Sequence, residues 1–299
     1  MARIIRDFQL SLFGGVITSE IVNVASVPQR SPFRYPGGKT WLVPIVRNWL
    51  IGLSKRPKEF IEPFAGGAIV GLNVAFEQLA EHVTLVELDD QIAAVWKTIL
   101  YGEAEWLAER IITFDLTPEN VERELALSIT SLEEKAFQTI LKNRINRGGI
   151  LAPGAGKIKY GENGKGIRSR WYPETLKKRI LNIASIKDRI TFIEGDGLKV
   201  IEQSAKRPDV VFFIDPPYTA AGKKAGTRLY TFFDIDHEKL FSLVENLAGN
   251  FIMTYDNTEG VKELAERHGF KYELVAMKNT HHTEMQELLI SRNLDWLMK

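Results

Sequence analysis

Apolar and polar positions along this chain of 299 residues alternate between two periods, one suited to strands and one to amphipathic helices. The run Val210-Val211-Phe212-Phe213-Ile214 is apolar without interruption and ends in Asp215-Pro216-Pro217-Tyr218. Such a run suits a strand buried on both faces, as in a parallel sheet. The two prolines end it, because neither donates a ladder hydrogen bond and each fixes φ. Shorter runs predict further strands over 60–62, 83–86, 190–193, 251–255, 271–278 and 284–290. Between them, helical spacing predicts helices over 39–53, 68–79, 173–187, 236–247 and 258–268, and residues 91–141 read as largely helical. In the first of these, Trp41, Leu42, Ile45, Val46, Trp49 and Leu50 share one face. The pattern is that of a doubly wound α/β fold, in which ligands bind at the carboxyl ends of the strands. Residues 1–30 alternate loosely about Gly14-Gly15, which predicts a β-hairpin extension, a flap or an oligomer contact.

Composition narrows the chemistry. A chain of this length, 44% hydrophobic, has the means to bury a sizeable core as one large domain or two smaller ones. The net charge of +1 singles out no partner class. The chain has no cysteine, which excludes disulfides, thiolate zinc sites and any cysteine nucleophile. Methylation of the cytosine ring carbon, which needs thiol attack, is excluded with them. Arg6, Asp7 and Glu20 break the early apolar residues, so residues 1–25 do not read as a signal peptide. No stretch reaches the roughly 20 apolar residues of a membrane span, and the expectation is a soluble, cytoplasmic protein without a membrane partner. His281-His282 lacks metal-ligand spacing and reads as a turn, so no metal is expected.

Asp215 and Tyr218 stand at a predicted strand's carboxyl end, and the chemistry there suits a planar amine. Such an amine is a poor nucleophile, because its lone pair is delocalised into the ring. The Asp215 carboxylate and the Pro216 carbonyl offer two acceptors for its two N–H groups, pulling the nitrogen toward a tetrahedral shape. Tyr218 offers a ring on which the base can stack, a contact worth about 1–3 kcal/mol. As a bare turn, two prolines after a strand would also look like this.

Other segments add to the picture. Glu62-Pro63-Phe64-Ala65-Gly66-Gly67 is a glycine turn between a predicted strand and helix, where doubly wound folds hold nucleotide-like cofactors. Glu87 follows Gly67 by 20 residues at the next strand end, the spacing at which an acid holds ribose hydroxyls. Asp89 and Asp90 read as helix N-caps. Glu194-Gly195-Asp196-Gly197 places another carboxylate at a strand end, either an ordinary turn or an acceptor for a cofactor amine. The segment Ser31 to Lys39 fails as a phosphate loop, because Phe33 stands where the first glycine is needed; Gly156-Lys157 fails likewise at Leu151. Residues 142–190 carry 13 basic residues against three acidic ones, with seven glycines and Trp171-Tyr172. Basic, amide and aromatic residues on a glycine-rich frame suit phosphate contacts and base-edge readout better than a merely solvated face.

Taken in order, these motifs resemble the Dam-like alpha group of S-adenosylmethionine-dependent, D-P-P-Y type DNA adenine methyltransferases. The order is F-x-x-x-G-G-K at Phe33 to Lys39, E-P-F-x-G-x-G at Glu62 to Ala68, an acidic strand end at Glu87, a basic insertion, Gly195-Asp196, then Asp215 to Tyr218. The resemblance covers about residues 31–292, and its one departure is Ala68 in place of the third glycine. It implies a Rossmann-like class I methyltransferase sheet from residues 31–100 and 190–299, with 101–189 as an inserted, mainly helical target-recognition domain. The cofactor it implies is S-adenosyl-L-methionine. Phe33, Tyr35, Gly37 and Lys39 would border its methionine end, Lys39 near the carboxylate, with Phe64 and Gly66 flanking it. Glu87 would hold ribose and Asp196 the cofactor's adenine. Asp215, Pro216 and Tyr218 would hold the target. Lys142, Arg144, Arg147, Lys157, Lys159, Arg168 and Arg170 would bind DNA, joined by Lys223, Lys224 and Arg228 of a loop leaving the D-P-P-Y corner. The implied activity is direct methyl transfer to the 6-amino group of a flipped-out adenine in double-stranded DNA, with a companion restriction endonuclease left open. The same chemistry on adenine in RNA, and a non-catalytic DNA-binding relative, are the alternatives. The intact Asp215, Tyr218 and Glu87 argue against the second.

Overall fold

The computed structural model describes residues 26–217, 235–278 and 284–298. Its centre is a seven-stranded sheet: β1 (Glu59–Glu62), β2 (His82–Glu87), β3 (Ile190–Glu194), β4 (Val210–Ile214), β5 (Asn250–Asp256), β6 (Lys271–Lys278) and β7 (Glu284–Ser291). The strands lie in the order β3-β2-β1-β4-β5-β7-β6. The first five are mutually parallel, and β7 runs antiparallel to both β5 and β6. Ten α-helices are described: α1 (Val43–Ile51), α2 (Ile69–Glu77), α3 (Asp90–Tyr101), α4 (Ala104–Thr113), α5 (Pro118–Ala126), α6 (Leu132–Ile145), α7 (Pro173–Ala184), α8 (Gly197–Ser204), α9 (His237–Glu245) and α10 (Glu259–Arg267).

The doubly wound α/β architecture follows from how β4 divides its side chains. Val211 and Phe213 enter one apolar cluster, with Phe60, Leu85, Trp96, Phe137 and Ile180. Val210, Phe212 and Ile214 enter a second, with α8, α9 and α10. The period of two along a strand thus sends an unbroken apolar run into two cores, one on each face of the sheet. Leu107, Phe137, Ile140 and Ile180 of the 101–189 segment belong to the same cluster as Phe60 and Trp96, so its helices pack into the main core.

Local signals place the helix starts. Asp89, Thr117, Ser131, Asp196 and Asp236 each cap a helix by accepting from a backbone N–H two or three residues on. The helix expected from Lys39 begins instead at Val43, after a 3-10 turn at Thr40–Leu42. Pro44 is the reason: without an N–H it fits only a helix's first turn.

The turn after β1 is held by a buried carboxylate. Glu62 Oε2 accepts from the Gly71 N–H of α2 at 2.8 Å. A Cβ at Gly71 would lie 2.5 Å from that oxygen and 2.6 Å from Leu85 Cδ2. Gly71→Ala is therefore expected to lower stability by about 1–3 kcal/mol through overpacking, measured by urea unfolding; an unchanged midpoint would contradict this packing.

Strand order reverses direction between β1 and β4, which opens a crevice at their carboxyl ends. Among the described residues no helix is long and apolar enough to cross a membrane. The expected N-terminal hairpin, the His281-His282 turn, and Tyr218 with its loop lie outside the described residues.

Candidate active site

A cavity of about 480 Å³ fills that crevice, a size typical of small-molecule and cofactor sites. Four strand ends supply its floor: Pro63 and Phe64 after β1, Glu87 at β2, Asp196 after β3, and Asp215 with Pro216 after β4. Phe33, Tyr35, Gly37 and Lys39 wall it from the N-terminal side, and Gly149, Leu151, Ala152 and Arg179 from the inserted segment. Nine expected site residues thus line one cavity. Gly66 stands behind the wall, donating to Glu87 Oε2 at 2.8 Å and accepting from Trp96 Nε1 at 3.0 Å.

The glycine turns explain how the floor closes. Gly66 has φ +46°, and a Cβ there would run into the Tyr35 ring. A Cβ at Gly197 would run into the Pro63 carbonyl, so the turn after β3 presses directly on the turn after β1. Ala68 has φ +50° as the residue before α2. The turn keeps a glycine-like backbone there although the residue is alanine, at a cost of roughly 1 kcal/mol.

Asp215 is held by side chains from two distant segments. Its Oδ1 accepts from Thr254 Oγ1 at 2.7 Å and lies 3.1 Å from Lys39 Nζ. The same ammonium lies 3.4 Å from Glu287 Oε2 on β7 and donates to the Gly37 carbonyl at 3.0 Å. Lys39 is only 3% exposed. The expectation set this lysine beside the cofactor's carboxylate; among the described residues it pairs with Asp215 and Glu287. A buried ammonium needs counter-charges, and two carboxylates are within reach. Burial pushes the Glu287 carboxyl up to about 7, against the pull of Lys39. Burial also pushes Glu62 well above the usual carboxylate range, the Gly71 N–H opposing and Asp215 adding. Thr254 and Glu287 went unnoticed in the sequence. Thr254 had a signal, a polar residue after the apolar run Phe251-Ile252-Met253; Glu287, following Glu284 and Gln286 in β7, had none.

Glu87 shows how an acid waits at a strand end. Its Oε2 accepts from Gly66, and its Oε1 from Leu88 and Asp89, both at 2.9 Å. Burial nonetheless pushes it up to about 7. Of a carboxylate's about four lone-pair positions, these bonds leave one for a ligand hydroxyl. Asp196 Oδ1 accepts from Leu198 N–H at 2.9 Å as the cap of α8, so its two readings, cap and ligand acceptor, are compatible.

The basic residues separate by position. Arg147, Lys157, Lys159 and Arg168 are exposed. Arg168 donates through Nε to the Leu116 carbonyl at 2.8 Å, and Arg170 pairs with Glu162. Lys142 is half-buried, its Nζ 3.4 Å from Gln91 Oε1. Arg144, expected among the DNA contacts, lies inside the fold. It is 4% exposed and donates to the Pro32 carbonyl. Tyr218, Lys223, Lys224 and Arg228 lie outside the described residues.

Comparison with known proteins follows the same line. Among solved structures, the chain is similar to a candidate RNA methyltransferase from Pyrococcus horikoshii, at 11% identity and TM-score 0.38, over 88% of this chain and 87% of that one. It is also similar to a methyltransferase from Geobacter sulfurreducens, at 13% identity and TM-score 0.36, over 87% and 81% of the two chains. A third is the precorrin-6y C5,15-methyltransferase of Geobacter metallireducens, at 12% identity and TM-score 0.34, over 92% and 93%. At such scores these likenesses carry no argument, and the fold rests on the strand order itself. No curated protein matches the chain in sequence. Residues 154–281, from the basic segment past β6, match the family model of the D12 class N6 adenine-specific DNA methyltransferase. That match points to methyl transfer with S-adenosylmethionine as the donor.

Proposed function

We propose that the protein moves the methyl group of S-adenosylmethionine directly to the 6-amino group of an adenine flipped out of duplex DNA. The observation that carries the reading is Asp215 at the carboxyl end of β4, on the wall of a cavity it shares with Glu87 and Asp196. The D12-class match spans this strand end.

The donor set fits the cofactor. Glu87 would accept from one ribose hydroxyl and Asp196 from the adenine amine, while Phe64 and Tyr35 border the remainder of the cavity. When bound, S-adenosylmethionine supplies an electrophilic methyl group on a sulfonium. The protein's own work is alignment and charge. Asp215 and the Pro216 carbonyl accept the two N–H bonds of the target amine, which turns its lone pair out of the ring plane. As the N–C bond would form and the sulfur–methyl bond break, leaving a neutral thioether, positive charge would grow on that nitrogen; the Asp215 carboxylate would stabilise it until the surplus N–H proton is released to solvent. Lys39 and Thr254 hold that carboxylate in place. Holding both reactants in line supplies most of the acceleration, because a sulfonium needs no deprotonated partner. Extracting adenine from the stack costs a few kcal/mol; Tyr218 stacking on the base would repay part of it. Residues 101–189 are the proposed target-recognition segment and the sheet with its other helices the catalytic part. Arg147, Lys157, Lys159 and Arg168 would contact phosphates.

Glu87 makes the donor step pH-dependent. Its carboxyl, near 7, is largely protonated at pH 6 and ionised at pH 8. The ionised form is the stronger acceptor. Affinity for the donor is expected to rise as pH rises through 7, with a limiting slope of about one log unit per pH unit. Calorimetric titration at pH 6, 7 and 8 measures it. Glu87→Gln should bind more weakly and flatten the profile; a profile unaltered by the substitution would remove Glu87 from the donor site.

The polymer is tested with methyl-tritiated donor offered to unmethylated genomic DNA, total RNA and a protein extract. Label concentrated in DNA is expected. Label chiefly in RNA would keep the chemistry and move the substrate; label in protein would overturn the base reading.

A further inference from the structure

Three guanidinium groups gather where the cavity meets the inserted segment, and the reaction as proposed uses none of them. Arg34 and Arg179 line the cavity. Arg144 lies behind them, close enough that their repulsion, after burial and together with it, brings its pKa down to about 9. Among the described residues no carboxylate comes within ion-pair distance of any of the three. Arg144 gives one N–H to the Pro32 carbonyl, and Arg179 gives one to the Ser31 carbonyl at 2.9 Å. Arg144 Nε and Arg34 Nη1 are buried and meet no acceptor among the described residues. Like charges packed together, with charged donors left over, are unfavourable in isolation and become favourable once an anion joins them.

The surroundings are built to hold this arrangement. Asn143 clamps Arg34 at both backbone groups, accepting from its N–H and donating to its carbonyl, each at 2.9 Å. A second Asn143 bond reaches the Gly149 carbonyl at 2.7 Å. Gly149 has φ +78°, and a Cβ there would collide with the Arg34 carbonyl, so only glycine permits this approach. The Asn143 bonds and the Gly149 approach set Arg34 against the inserted segment.

We propose that Arg34 and Arg179, with Arg144 behind them, form an oxyanion subsite for one backbone phosphate of the polynucleotide beside the flipped base. A fork of guanidinium N–H groups suits a phosphodiester oxyanion, which carries one charge over two oxygens. The donor's carboxylate offers the same chemistry from a second source. The phosphate is favoured because Arg34 faces the basic segment, where a strand passing Arg147 and Lys157 would run. This subsite rests on the nucleic-acid reading above.

The test compares full-length wild type, Arg34→Gln and Arg34→Lys in binding to sheared unmethylated genomic DNA across a salt series. Arg34 is chosen because its buried Nη1 meets no acceptor among the described residues. Arg34→Gln should reduce the slope of log K against log salt by about 0.9, the share of one phosphate, and weaken binding about tenfold at about 0.15 M salt. Arg34→Lys should keep the slope. Donor affinity, titrated without DNA, should change less than about twofold in either variant. An unchanged slope in Arg34→Gln overturns the subsite while leaving the function intact. A tenfold or greater loss of donor affinity without DNA assigns the cluster to the carboxylate and also overturns it. Wild type that binds neither DNA nor total RNA with a salt-dependent slope overturns the nucleic-acid reading itself, a result visible before any variant is made.

Discussion

Asp215→Asn is expected to reduce methyl transfer at least about a thousandfold while S-adenosylmethionine affinity changes less than about threefold. The substitution is nearly isosteric, so the Thr254 contact and the end of β4 should survive. What it removes is charge, and the acceptor that the target amine needs as its nitrogen becomes positive. An amide at this position also offers an N–H where the amine must donate. The loss therefore falls on the chemical step, which single-turnover rates measure, with a separate titration of the donor. A fall in donor affinity matching the fall in rate would instead make Asp215 part of the donor site. An active variant would remove it from the chemistry.

Lys39→Met is expected to cost about 3–5 kcal/mol of stability and to lower turnover as well. The ammonium is 3% exposed and shared between Asp215 at 3.1 Å and Glu287 at 3.4 Å. Removing it leaves two closely spaced carboxylates without their common cation. The pH dependence gives a finer check. The Glu287 carboxyl already titrates near 7 with Lys39 present, above its ordinary 4.5, and loses a lowering influence when Lys39 is gone. A carboxyl whose pKa is raised on folding holds its proton longer in the folded state. Its share of stability is full below about 4.5 and declines as pH rises through the folded value. The deficit of Lys39→Met should therefore grow from pH 5 to pH 8, and a second substitution, Glu287→Gln, should remove that growth without restoring turnover. Denaturant unfolding across this range reads both effects. A cost under about 1 kcal/mol would match an exposed pair and return Lys39 to the cofactor's carboxylate.

Much of the frame was legible because local rules and tertiary packing agree. The apolar run at β4, the cap at Asp89 and the prolines after Ile214 all act over a few residues. What escaped the sequence depends on pairings far apart in the chain. The reversal of β7 against β5 and β6 has no signature in an apolar strand, which reads alike in either direction. Helix α8 is short and begins at Gly197, and it was not among the expected helices. In the site, Glu87, Asp196 and Asp215 could be found from their places at strand ends. The partners of Asp215 could not, because Lys39, Thr254 and Glu287 come from three distant segments. Arg144 was grouped with the neighbouring bases for its charge; its burial could have been read from its place after Phe137 and Ile140 at helical spacing, on the stripe that α6 buries.

The account stands or falls on the atom that receives the methyl group. The measurement is mass spectrometry of the nucleosides released from unmethylated DNA after incubation with isotopically labelled S-adenosylmethionine, for wild type and Asp215→Asn. The account predicts label on the 6-amino nitrogen of deoxyadenosine with wild type and none with Asp215→Asn. Label on a ring atom, on another base, or undiminished in the variant would contradict it.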